Sequence, residues 1–180
     1  MNYIIRRHFL PPDVDASVRA LARHEELYVP ATVFGDADWR SGHTAAIEGR
    51  PEAHAVIEVV LKAVPAVCYA LGIDAFAPSR CEVQLSCYGN GGHFRAHNDS
   101  GTMETSPETV TRVLSYVIYM DLVKPRPWSG GQLEIFPDVI PIEDGMAIFF
   151  PSEKLHAILP VTASWEWESG RHTVNGWVRK

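Results

Sequence analysis

A chain of 180 residues with 46% hydrophobic and 21% charged residues and a formal net charge of −6 has the make-up of one soluble globular domain able to bury a core. The acidic balance argues against a nucleic-acid partner, since Arg6-Arg7 is the only adjacent basic pair before Arg179-Lys180. No stretch approaches the roughly 18 consecutive apolar residues of a membrane span, Met1–Arg7 leads into no apolar secretion core, and Cys68, Cys81 and Cys87 lack zinc-site spacing; together these predict free thiols in a soluble, cytoplasmic protein with no membrane partner.

The first 78 residues carry mainly helix signals. Pro11-Pro12-Asp13 introduces a helix from Val14 to Glu26, with Val14, Val18, Leu21 and Ala22 at helical spacing. Residues 29–50 lack periodicity and read as a loop with room for one strand. The stretch from Pro51 to Leu71 repeats the helical pattern through Val56, Val59, Val60, Val64 and Val67, with Pro65 expected to kink or divide it.

After Pro78 the pattern turns to β. Strands are predicted at Arg80–Tyr88, His93–Asp99, Val110–Asp121, Gly131–Phe136, Met146–Phe150, His156–Thr162 and Thr173–Val178. They are separated by turn signals such as Asn90-Gly91-Gly92, Ser129-Gly130-Gly131 and Glu143-Asp144-Gly145. The predicted fold is a mainly β member of the α+β class: a β sandwich or barrel from residues 79–180, with the helices of residues 1–78 packed on one sheet. No residue pattern specifies an oligomeric state.

Eight histidines are present. His8, His24, His43 and His54 sit in polar or helical surroundings and read as surface residues. His97 and Asp99 are separated by one residue, so on a strand both point the same way. His156 follows the apolar run from Met146 to Pro151. Two imidazoles and a carboxylate can hold a ferrous ion on one face and leave other coordination positions open. Taken singly, each has a plainer explanation: 22 of 180 residues are acidic, so H-x-D arises often by chance, and a satisfied core histidine would account for His156. His93 shares a face with His97 but lies ~13 Å away along a strand, too far for the same metal, and is expected to line the cleft. Arg171, Thr173, Asn175 and Trp177 fall on one face of the last strand. A guanidinium on the metal-bearing face requires an anion, and a carboxylate matches its fork; the alternative is a surface salt bridge.

These residues resemble the iron(II)- and 2-oxoglutarate-dependent dioxygenases, in their prolyl 4-hydroxylase-like branch. The resemblance runs over about residues 80–180, through Cys87-Tyr88-Gly89-Asn90-Gly91, His97-x-Asp99, Tyr116-Val117-Ile118-Tyr119-Met120, Gly130-Gly131-Gln132-Leu133-Glu134-Ile135-Phe136, Phe149-Phe150-Pro151-Ser152, His156 and Arg171-x5-Trp177. It implies a double-stranded β-helix of the jelly-roll or cupin kind, with iron on His97, Asp99 and His156. Arg171 would pair with the far carboxylate of the cosubstrate 2-oxoglutarate, and Tyr119 would donate a hydrogen bond to it. Tyr88, Leu133 and Asn175 would wall the cosubstrate site, and Trp177 would pack near the iron or the pocket base. Dioxygen would be the second cosubstrate, and ascorbate a supporting reductant.

The reaction so implied is hydroxylation of an unactivated C–H bond with release of succinate and carbon dioxide. Asp99 favours hydroxylation over halogenation, because related halogenases have a small residue there. The chain departs from the family at Asp121, often Asn in relatives, and in the inserted Ala163-Ser164-Trp165-Glu166-Trp167-Glu168. Arg171 stands where collagen-type hydroxylases use lysine, as in the oxygen-sensor and bacterial members. The resemblance implies a prolyl or other amino-acid side chain in a protein or peptide as substrate, the alternative being a free amino acid or a small natural-product intermediate. Loops 100–109 and 123–130 should frame it, with Trp39, Trp165 and Trp167 as aromatic walls. A rival of another class is a non-catalytic β-barrel holding zinc, nickel or a small molecule. The nucleic-acid demethylases of the family carry Arg-x5-Arg, and Trp177 occupies that second position.

Overall fold

The computed structural model describes residues 1–31, 36, 38–101 and 107–180. In chain order its elements are β1 (Ile4–Arg6), α1 (Pro12–Ala22), β2 (Val29–Ala31), β3 (Arg40–Ala46), α2 (Pro51–Leu71), β4 (Arg80–Cys81), β5 (Gln84–Tyr88), β6 (His93–His97), β7 (Arg112–Met120), β8 (Ser129–Gly130), β9 (Leu133–Ile135), β10 (Asp138–Ile140), β11 (Ala147–Pro151), β12 (His156–Ile158), β13 (Val161–Thr162) and β14 (Arg171–Arg179). The main sheet runs β1-β11-β7-β14-β5-β3-β6-β12-β9-β10, and every pairing is antiparallel. It curls because β3 serves two neighbours. His43–Ala46 pair with β5, while Arg40 and Ser41 pair with β6. The curl sets β6, β12 and β9 across from β5, β14 and β7, with a cavity between.

Strand alternation divides the apolar residues into two cores. Leu114, Tyr116, Ile118 and Met120 of β7, Ala147 and Phe149 of β11, and Val174 and Val178 of β14 face the helices. The intervening Tyr119, Ile148 and Phe150 face inward with Tyr88, Leu133 and Ile135. On β14 the inward set is Arg171, Thr173, Asn175 and Trp177, the face the sequence pattern predicts.

Both expected helices form, and both lie against this sheet. α2 remains one helix through Pro65, so the expected division does not occur. Its start at Arg50-Pro51 puts a proline where no amide partner is required, and Gly72, at φ 71°, ends it. By length and composition α2 is apolar enough to cross a bilayer. Here Ala53, Val56, Val60, Val64 and Val67 are buried in the helix-side core. The helical reading of residues 1–78 is otherwise incomplete, since β1, β2 and β3 come from this region and join the main sheet. The partners of β1 on β11 lie 141 to 145 positions away in sequence and those of β3 on β5 38 to 44, distances that local periodicity does not record. The predicted strand Arg80–Tyr88 is broken at Glu82-Val83, and His156–Thr162 is broken at Leu159-Pro160.

α1 is tied to the sheet by charge. Arg19 bridges Asp15 and Asp144, while Asp144 also accepts from the Asp121 amide and pairs with Lys124. Partial burial works against the Asp144 charge, but the Asp121 amide, Lys124 and Arg19 outweigh it and hold the carboxyl down at about 2. Because the folded value is depressed, this stabilisation is complete above the unfolded value near 4 and disappears as pH falls through about 2. Asp144→Asn should therefore cost about 1–2 kcal/mol at pH 7. Denaturant titrations of the two proteins should converge between pH 4 and 2, and a difference that stayed constant with pH would show that charge is not the cause.

Candidate active site

β6 ends at His97 and β12 begins at His156, and the ladder places these two residues directly opposite each other. Their ring centres are 4.2 Å apart. The expected strand His93–Asp99 stops at His97, so Asp99 lies just beyond the strand. There the Asp99 amide donates to the Ser152 carbonyl at 2.9 Å, which turns the chain toward β11. Asp99 Oδ1 is 3.7 Å from His97 Nε2, and Asp99 Oδ2 is 3.5 Å from His156 Nε2. One ligand atom from each residue lies within 4.8 Å of the others, a spacing that suits a common metal ion.

The orientation of each imidazole is set from behind. His97 Nδ1 lies 2.8 Å from the Arg95 carbonyl and His156 Nδ1 lies 2.9 Å from the Lys154 carbonyl. A carbonyl can only accept, so Nδ1 carries the proton and Nε2 presents a lone pair toward Asp99. Burial, with the neighbouring His156, pushes His97 down to about 4, which keeps its ring neutral at physiological pH. Burial opposes the Asp99 charge, yet the carboxyl lies below its usual range, with hydrogen bonds from Ser115 and Trp177 among the causes that favour its ionised form. Ser115 Oγ donates to Asp99 Oδ2 at 2.7 Å and also meets Ser152 Oγ at 2.9 Å. Two neutral nitrogens and one anionic oxygen fit a borderline divalent ion such as Fe(II).

A second group of residues closes the same cavity from β14. Arg171 is fully buried. Its Nε donates to the Gly131 carbonyl at 2.7 Å and one Nη to the Tyr119 hydroxyl at 3.1 Å. The other Nη has no partner among the described residues. Gly131 is indispensable to this arrangement, since at φ 64° a Cβ there would lie 2.7 Å from Arg171 Cδ. Tyr88 flanks the guanidinium, whose carbon lies 5.4 Å from the ring centre.

Of the residues singled out in sequence, Tyr88, Leu133, Asn175 and Trp177 line the cavity with the His-Asp-His cluster and Arg171. Tyr119 is buried behind Arg171 and reaches the cavity through it. Its hydroxyl accepts from Arg171 and retains a proton to give. His93 does not line the cavity. Its ring bridges the Gly91 and Asp38 carbonyls, each at 3.0 Å, and so braces the β6 entry instead. Trp128 is buried in the inward core, and Arg126 stacks on it. Half of loop 100–109, namely residues 102–106, lies outside the described residues. Sequence reasoning missed Ser115, Phe94 and Arg40. Ser115 shares strand parity with Val117 and Tyr119, a signal that was present. Phe94 stacks on His97 with ring centres 3.5 Å apart.

The sequence profile described as the 2OG-Fe(II) oxygenase superfamily matches residues 83–179, more than half of the chain. An uncharacterised PKHD-type hydroxylase of Synechocystis sp. is 28% identical over 97% of this chain, and the chain spans 62% of that relative's length. A prolyl-4-hydroxylase of Pseudomonas putida superposes with a TM-score of 0.74 at 21% identity, covering 99% of this chain and 93% of that one. The viral collagen prolyl hydroxylase of Paramecium Bursaria Chlorella virus-1, solved as a 2OG complex, gives 0.70 at 17% identity, covering 99% and 96%. These two likenesses are ones of fold, a double-stranded β-helix.

The chain belongs to the 2OG-Fe(II) oxygenase superfamily. Fe(II), 2-oxoglutarate and dioxygen are the cofactor and cosubstrates that this family implies. Ser115→Ala would leave one Asp99 oxygen without its donor, and partners behind a metal ligand are worth about 10- to 100-fold in affinity. Competition against a chelator should show Mn(II) or Fe(II) binding weakened on that scale, with the melting temperature little changed.

Proposed function

We propose that this protein hydroxylates an unactivated C–H bond of a prolyl or other amino-acid side chain in a protein or peptide. The carbon–hydrogen bond, 2-oxoglutarate and dioxygen would give the alcohol, succinate and carbon dioxide. The observation that carries this reading is the pairing, in one cavity, of the His97–Asp99–His156 cluster with a buried guanidinium nitrogen that lacks a partner among the described residues. A buried cation is costly without an anion opposite it, and the planar fork of Arg171 suits a carboxylate. A barrel that merely stored zinc or nickel would have no use for such a group.

In this reading His97, Asp99 and His156 hold iron, leaving the positions a bidentate keto acid and dioxygen require. When bound, the iron supplies the oxidative chemistry that couples decarboxylation of the keto acid to attack on a C–H bond. Arg171 grips the far carboxylate and Tyr119 gives it a hydrogen bond, so the cosubstrate enters in one orientation. Leu133, Ile158 and Phe150 are apolar walls that limit water around it. Trp177 and Ser115 keep Asp99 ionised and fixed. A reducing, cytoplasmic setting belongs to the same proposal, because Cys68, Cys81 and Cys87 are all free thiols.

Anaerobic addition of Fe(II), ascorbate and 2-oxoglutarate should produce the weak visible charge-transfer band of an iron–keto acid chelate, and air should then release succinate. Absence of both would sink the oxygenase reading. His97→Ala should abolish metal binding. Arg171→Ala should raise the 2-oxoglutarate half-saturation by on the order of tenfold to a hundredfold, the scale of a lost charge-assisted hydrogen bond, with metal affinity retained. Unchanged half-saturation would remove Arg171 from the cosubstrate site.

A further inference from the structure

We propose that Arg40 selects the substrate by pairing with a carboxylate that the substrate carries close to the reacting C–H bond. The inference rests on the oxygenase reading and narrows its substrate to an amino acid or peptide that brings an anion to the mouth of the metal cavity.

Six arginines are withdrawn from solvent in this structure: Arg19, Arg40, Arg112, Arg126, Arg171 and Arg179. Four of them are paired with carboxylates, Arg19 with Asp15 and Asp144, Arg112 and Arg179 with Glu82, and Arg126 with Asp121. The remaining two, Arg171 and Arg40, have no described carboxylate, and both face the metal cavity. A partly buried guanidinium left without an anion is costly, so two unpaired ones in a single cavity mark places for two ligand anions.

The surroundings of Arg40 support this assignment. Its Nε donates to the Tyr88 hydroxyl at 3.2 Å, and its two terminal nitrogens have no partner among the described residues. The guanidinium lies over the Phe94 ring at 4.7 Å, and Phe94 stacks on His97 at 3.5 Å. An anion on Arg40 would thus be held one aromatic ring away from His97. Tyr88 stands between the two cations, with its ring beside Arg171 and its hydroxyl on Arg40. It separates a deep anion site from a shallow one.

2-Oxoglutarate has two carboxylates. One is assigned to Arg171, and the other belongs to the keto-acid end that chelates metal, so the cosubstrate leaves Arg40 unanswered. Arg40 also borders an open cleft of about 360 Å³, walled by Trp165, Trp167, His43 and Asn90. The cleft gives the rest of a substrate somewhere to lie while its carboxylate is held at the cavity mouth. Free amino acids, a peptide's C-terminal residue and an acidic side chain next to the target residue would all supply this chemistry.

The test uses the anaerobic Fe(II)–2-oxoglutarate enzyme and reads substrate binding from perturbation of its visible band, then substrate-stimulated succinate release in air. The panel contains the proteinogenic amino acids, the matching glycyl dipeptides, and capped tripeptides with or without a neighbouring Asp or Glu, each acid beside its amide. At least one acid should bind on the order of tenfold or more tightly than its amide, and the arm in which it appears identifies the source of the carboxylate. Arg40→Gln, which can still reach Tyr88, should erase that preference, and Arg40→Lys should keep part of it, with 2-oxoglutarate half-saturation unchanged in both. The proposal is overturned if no acid outperforms its amide, if Arg40→Gln retains the preference, or if Arg40→Gln instead raises the 2-oxoglutarate requirement. In each of those cases the visible band survives and the oxygenase reading stands. Loss of the band from the unmodified enzyme would bring down that reading and this inference together.

Discussion

A guanidinium with no exposure to water and one nitrogen unpaired is the feature around which the cavity is arranged. Removing such an ion from water costs several kcal/mol, and neutral partners recover only part of it. The Gly131 carbonyl and Tyr119 hydroxyl accept two hydrogen bonds from Arg171, and its remaining terminal nitrogen, without a partner among the described residues, can donate to an anion. The backbone has been shaped to permit this. Gly131 takes a left-handed conformation and has no side chain where Arg171 passes, and at Gly130 a Cβ would strike the Pro160 carbonyl at 2.1 Å. Gly130 thus lets β8 close on the Pro160-Val161 backbone, and Gly131, just after it, lets the chain pass close against Arg171.

The metal cluster depends on the same sheet through different residues. Asp99 is reached by Ser115 from β7 and by Trp177 from β14, and Arg112 lies over the Trp177 ring at 3.7 Å. Arg112 is held in turn by the buried Glu82, which also binds Arg179 and occupies the break between β4 and β5. Interrupting that strand has a structural consequence: the Glu82 carbonyl accepts from the Tyr116 hydroxyl at 2.7 Å, and Glu82 approaches Gly176 so closely that a Cβ there would lie 1.9 Å from its oxygen. A chain of contacts therefore runs from a buried carboxylate at the sheet edge to the anionic metal ligand. Each link is a charge or an aromatic face rather than a flexible apolar contact.

How much of this was legible follows from the range of the signals. The β7 and β14 faces could be read directly, because alternation is local and a buried sheet enforces it. His97 and Asp99 were visible for the same reason, although Asp99 owes its position to the Ser152 carbonyl rather than to a strand. Arg40 could not be found in this way. The segment around it has no period, and its place at the cavity mouth depends on β3 pairing with β6 across more than fifty residues. The continuity of α2 through Pro65, where the sequence allowed either a kink or a division, was also not legible. Local chemistry disfavours an internal proline, but the buried row of Val56, Val60, Val64 and Val67 holds the helix against the sheet, and tertiary burial outweighs the lost backbone bond.

Tyr88 unites these strands of argument. Its ring is nearly inaccessible, inside the inward core, yet it contacts both guanidinium groups that lack a carboxylate among the described residues. Two like charges sharing a small cavity repel each other, and a low-dielectric wall between them would strengthen that repulsion unless each had its own counter-ion. An aromatic spacer with a hydroxyl at one end suits this position, since its π face accommodates Arg171 and its oxygen accepts from Arg40. Gly42 makes room for it, because a Cβ there would come within 2.7 Å of the Tyr88 ring. The spacing of the two cations is thus set by one rigid side chain. Any ligand pair that fills both positions must bring its carboxylates at that separation, and an anion at one position lowers the cost of leaving the other cation buried.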